Sequence, residues 1–169
     1  MQENIEVLNL TDDTDIPNNP DLPALVYRQI MQGSGEENAR HFEAAFARHN
    51  WVGIWRNGIF NYHHFHPDAH EVLGIAAGNV QVQLGGKNGQ SLKLQQGDMV
   101  ILPAGTGHKR LSKSDDLLVI GAYPKGQEEY SMCRNKRDCS NADEKIRQVS
   151  MPEQDPFFGT SGPLFTYWK

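Results

Sequence analysis

From Trp51 to Tyr123 the chain breaks into short alternating apolar runs separated by turn signals. The runs are "WVGIWRNGIFNYHHFH", "HEVLGIAAG", "VQVQLGG", "SLKLQQGDMVILP" and "LLVIGAYP", with Asn57-Gly58, Gly85-Gly86 and Asn88-Gly89 between strands. Alternation at a period of two, repeated at this spacing, predicts an antiparallel sandwich or barrel. At 169 residues the chain suits one domain with a real core and is short for two.

The flanks read differently. "IPNNPDLPALVYRQI" predicts an extended arm and then a strand near Ala24 to Ile30. Ser34 with Glu37 three residues on predicts a capping box for one helix, with Ala39, Phe42, Phe46 and His49 on one face. His49 reads as the wet end of that face. After Gly126 the pattern dissolves, and the tail "MPEQDPFFGTSGPLFTYWK" is too aromatic to be a solvated end. It is expected to pack on the barrel or on a partner subunit, which predicts a homodimer or larger oligomer. The organisation expected is a single domain, residues 1–169, with an arm and helix over 1–50, a barrel core over about 51–123 and a tail over 127–169.

A net charge of −5 gives no electrostatic case for nucleic acid or an acidic membrane surface. No apolar run approaches the roughly 20 residues needed to cross a bilayer. The amino terminus lacks the basic start and apolar block of a signal peptide. Cys133 and Cys139 miss the short spacing of zinc ribbons and read as ordinary thiols, with a cytoplasmic location expected.

Four of the seven histidines lie between Gly58 and Gly78. Asn57-Gly58 predicts a two-residue hairpin turn, which sets Trp51 opposite His64 and Trp55 opposite Phe60. Strand alternation then places Phe60, Tyr62, His64 and His66 on one aromatic face with Trp51 and Trp55, the expected pocket wall. Two imidazoles in an apolar cavity are costly to leave unpaired, and both are good metal donors. Glu71 begins the next strand and can face the same cavity, while "GDMVILPAGTGH" delivers His108 at its far side. His63 and His70 fall on the opposite parity, and a bulge beside Glu71 would turn His70 inward. Lys109 and Arg110 read as a solvated strand end.

Gly58-x5-His64-x-His66-x4-Glu71-x6-Gly78 resembles the first cupin motif without a gap. Gly97-x5-Pro103-x-Gly105-x2-His108 resembles the second, departing only at Ser112, where the pattern usually ends in Asn. The resemblance covers roughly Trp51 to Tyr123. "IPNNPDLP", "HFHPDAHEVLG", "GAYPKGQ" and "GPLFTYW" look like a group of small, stand-alone bacterial RmlC-like cupins whose substrates are not fixed. The resemblance implies an all-β, double-stranded β-helix (jelly-roll) barrel with one N-terminal helix and an extended C-terminal tail. It also implies one divalent transition metal held by His64, His66, Glu71 and His108. Fe, Mn, Ni, Co, Cu and Zn all suit that donor set.

Three kinds of function stay open. One is a small metalloenzyme, a dioxygenase, isomerase or lyase acting on a small polar metabolite. Another is a non-catalytic cupin that binds or senses a sugar or other small molecule. The third is a storage or scaffold protein in which the metal only staples the barrel. No appended output domain speaks for a regulator, and no clear free general base speaks for the enzyme.

Overall fold

The computed structural model describes residues 4–169. Its organising element is β4 (Glu71–Ala77), in which every residue is buried. Small and aliphatic side chains let this strand be covered on both faces. Glu71, Leu73 and Ile75 look into the barrel, while Val72 and Ala76 look toward the helix α1 (Glu36–Arg48). Gly74 permits that helix to lie close, since a Cβ there would come within 2.7 Å of the Phe42 ring.

Around β4 stand β1 (Asn4–Leu8), β2 (Ala24–Arg28), β3 (Trp51–Asn57), β7 (Met99–Leu102) and β9 (Leu118–Pro124). They form a six-stranded sheet in the order β1-β2-β7-β4-β9-β3. A second sheet has β5 (Asn79–Leu84) between β6 (Gln90–Gln95) and β8 (His108–Lys113). All named pairings are antiparallel. Two apolar cores result. The one between the sheets gathers Val26, Leu73, Val82, Leu84, Val100 and Leu102. The other lies behind the larger sheet and gathers Tyr27, Phe42, Phe46, Trp51, Ile101 and Trp168.

The expected strand near Ala24 and the helix with Ala39, Phe42 and Phe46 buried are present. The capping box is not. Gly35, at φ 65°, occupies the cap position without a side-chain bond, and Asn38 ties the entry by donating to the carbonyls of Gly33 and Ala76.

The Asn57-Gly58 hairpin is also corrected. β3 pairs with β9, and neither Asn57 nor Gly58 has the positive φ a type I′ turn requires. The Asn57 side chain instead accepts from the Gly58 N–H at 2.8 Å, and the chain leaves the sheet to cross the barrel mouth.

The tail packs on its own chain. Trp168 is 2 % exposed and donates through Nε1 to the Pro23 carbonyl at 2.8 Å; Leu164 is fully buried beside it. The buried Asp155 carboxylate accepts from the Tyr27 hydroxyl and from the N–H groups of Phe157, Phe158 and Leu164. The aromatic tail therefore supplies no reason for a second subunit. The cysteines are corrected as well. Cys133 and Cys139 are joined by a disulfide with their Cα atoms 6.1 Å apart, not left as separate thiols. Among the described residues no helix is long and apolar enough to cross a membrane.

Candidate metal centre

Three routes bring the donors together. His64 and His66 sit on the segment that crosses the mouth, pinned by paired bonds between His64 and His108 and between Phe65 and Cys133. His108 opens β8 and Glu71 opens β4. All four are buried. Residues 64 and 66 are one pleat apart, so both imidazoles face inward, and the bridge sets the His64 ring 3.9 Å from that of His108.

Each imidazole is held by a backbone carbonyl at its outer nitrogen. His64 Nδ1 lies 3.1 Å from the Tyr62 oxygen, His66 Nδ1 2.8 Å from that of Ser131, and His108 Nδ1 3.0 Å from that of Thr106. A carbonyl only accepts, so the hydrogen-bond network assigns the proton to Nδ1 and leaves a lone pair on Nε2 in each neutral ring. The ligating atoms of the three histidines lie within 4.8 Å of one another. Glu71 Oε1 is 3.1 Å from His108 Nε2 and 3.6 Å from His66 Nε2. This oxygen is buried without a hydrogen-bond partner, while Oε2 accepts from the Tyr123 hydroxyl at 2.8 Å.

Lone pairs facing a carboxylate oxygen in a buried place repel unless a cation stands among them. Without a cation, protons on the imidazoles have to take its place. Burial opposes ionising Glu71, yet His66 and His108 together hold its carboxyl well below the usual range. Burial also opposes charge on His66, but Glu71 more than offsets it and raises that imidazole. His64, buried and beside His108, is pushed down to about 3 and stays a neutral donor. A divalent cation fits this site, because it satisfies the orphaned oxygen and three outer-anchored imidazoles at once.

The donors line a cavity of about 590 Å³. Trp55 and Phe60 line it, with Phe60 51 % exposed. Trp51 and Tyr62 do not line it. A β-bulge between Val52 and Trp55, where Gly53 has φ 65°, inserts one residue and reverses the parity of the strand. Trp51 therefore turns to the core behind the sheet, its Nε1 donating to the Gln154 carbonyl at 2.9 Å. Tyr62 stacks on Phe60, and the Arg134 guanidinium lies 3.9 Å above its ring. His63 and His70 fall outside the donor group. His70 accepts from the Ala104 N–H at 2.9 Å and lies against Trp168.

The wall also contains Tyr123, Tyr130, Met132 and Arg110, which the sequence reading did not place there. Tyr123 was legible in principle, since it alternates with Val119 and Gly121 on β9. The bare Gly121 leaves room for the Trp55 indole, whose Cζ2 would lie 2.1 Å from a Cβ at that position. Tyr130 and Met132 belong to an irregular segment without periodicity, so no local pattern announces them.

The chain carries a cupin domain, whose two sheets enclose a buried cluster of three histidines. Residues 51–120 match the family description "Cupin domain". Over 169 residues the chain is 37 % identical to the uncharacterized protein YjlB of Bacillus subtilis (strain 168), covering 99 % of each. Among solved structures it is similar to an acireductone dioxygenase from Bacillus anthracis with a cadmium ion in its active centre. That match has 20 % identity, 52 % of this chain and 60 % of the other covered, and a TM-score of 0.39. It is also similar to an uncharacterized double-stranded β-helix protein from Klebsiella pneumoniae, at 14 % identity, 78 % and 84 % coverage and a TM-score of 0.38.

Proposed function

We propose that this cupin is a small metalloenzyme holding one divalent transition metal through His64, His66, His108 and Glu71 and acting on a small molecule in the adjoining cavity. The observation that carries the reading is the orphaned Glu71 Oε1 facing imidazoles whose outer nitrogens are all committed to carbonyls. A metal bound there would supply Lewis-acid polarisation of a ligand oxygen or a site for oxygen activation.

The rest is done by the chain. Tyr123 holds Glu71 through its hydroxyl, and burial beside that carboxylate raises the phenol, so it remains a proton-bearing donor. Trp55 donates to the Tyr123 oxygen at 2.9 Å and closes the wall. The residues lining the cavity include no carboxylate or imidazole beyond the four donors. A reaction that needs a separate carboxylate or imidazole base is therefore disfavoured.

Metal analysis of untagged protein tests the reading. About one equivalent of a transition metal is expected after loading and desalting, with oxygen uptake when a suitable small molecule is supplied. Protein that retains no metal would overturn it.

A further inference from the structure

Arg110 was expected on a solvated strand end, and the register of β8 contradicts this. Val82 faces Arg110 and Leu84 faces His108, and both partners belong to the core between the sheets. His108 and Arg110 are two residues apart on one strand, so they share the inward face, about 7 Å apart along it. The extra residue of the bulge, Leu111, comes only afterwards.

Half-buried and lining the cavity, the Arg110 side chain has no ion pair or hydrogen bond among the described residues. Elsewhere the protein satisfies such groups. Arg28 binds Glu6 and Asp98, and Arg56 binds Glu36 and Glu43. The one carboxylate lining the cavity, Glu71, is engaged by Tyr123 and faces the histidines. A half-buried guanidinium with no partner of its own is free to take an anion from a ligand.

We propose that Arg110 makes this cavity a receptor for a small carboxylic acid, gripping the carboxylate while the other end of the molecule meets the histidine cluster. The inference rests on the metalloenzyme reading and names its substrate class. The planar guanidinium fork matches a carboxylate through two parallel hydrogen bonds. One guanidinium balances one negative charge, which favours a carboxylate over a dianionic phosphate. Trp55, Tyr123, Tyr130 and Met132 line the same cavity. They suit a flat, apolar body about the length of a single ring.

The test compares 3,4-dihydroxybenzoate with the uncharged 3,4-dihydroxybenzamide, by calorimetry on metal-loaded protein. The two probes share their ring and oxygen-bearing end and differ in the charge offered to Arg110. The acid is expected to bind wild type at least about tenfold tighter than the amide. Arg110→Leu should abolish that ratio, and Arg110→Lys should keep part of it. Metal content of every sample is measured in parallel. Metal-loaded wild type that binds acid and amide alike, or binds neither, overturns the carboxylate inference and leaves the metal reading standing. Protein that takes up no metal but still prefers the acid, with the preference lost in Arg110→Leu, overturns the metal reading and supports Arg110. Tighter binding of phenyl phosphate than of benzoate would overturn the choice of carboxylate.

Discussion

The hydroxyl of Tyr123 donates to Glu71 Oε2 at 2.8 Å and so aims the other carboxylate oxygen at the histidines. Removing that hydroxyl frees the carboxylate to turn and also takes away the acceptor of Trp55 Nε1. Tyr123→Phe is expected to weaken metal affinity by roughly 10- to 100-fold, the usual effect of losing a partner that orients a ligand. Competition with a chromophoric chelator measures it. An unchanged affinity would show that Glu71 is held by other means.

The three histidines are expected to act as a unit. His64→Ala, His66→Ala and His108→Ala should each remove most of the bound metal, because each deletes one of three convergent donors. His63→Ala should leave occupancy close to wild type, since His63 lies outside that group. Elemental analysis of the four variants decides the matter. Equal loss from His63→Ala would point to a different donor set.

His70 gives stability a pH dependence of known sign. Burial pushes its imidazole down to about 4, with the Ser150 backbone partly opposing. In the unfolded chain it titrates near 6.5, so between the two values the unfolded state binds more protons. This contribution is fully present above about 6.5 and is lost as pH falls toward about 4, on the order of 3 kcal/mol in all. Urea midpoints across that window should fall steeply for wild type and less steeply for His70→Gln. Coincident slopes would mean that His70 is not kept neutral by burial.

Trp168→Ala tests the tail as part of the core. The indole is 2 % exposed and lies 4.8 Å, centroid to centroid, from the His70 ring. Truncating it should cost about 3–5 kcal/mol by chemical denaturation. A loss below about 1 kcal/mol would show that the tail is only draped over the sheet.

The donors were legible because strand alternation and two dense motifs act locally. His64 and His66 keep their alternation even though the hairpin assumed to set it does not form, whereas Tyr62 leaves the cavity. The wall was legible only in half. Trp51 and Trp55 are four apart, and period-two reasoning puts them on one face, but a single inserted residue at Gly53 separates them. Nothing local distinguishes that glycine from an ordinary strand glycine. Arg110 was legible too, since it stands two residues beyond the inward His108 on β8, and reading that stretch as a solvated strand end discarded the alternation. The Cys133–Cys139 link and the tail's docking depend on where long irregular segments return, which no periodicity encodes.

The burial of Trp168 behind the sheet also sets an order of events during synthesis. Strands β3 to β9 are complete by Pro124, whereas Leu164 and Trp168, which close the core over Tyr27 and Phe42, are added about forty residues later. At about 5–20 residues per second this leaves an interval of several seconds. Through that interval the histidine-bearing half of the nascent chain has all its strands, while the part of the sheet's back that α1 does not cover stays open to water. A chaperone that recognises exposed aromatic surface has its opportunity then, and the last turn of the chain ends it.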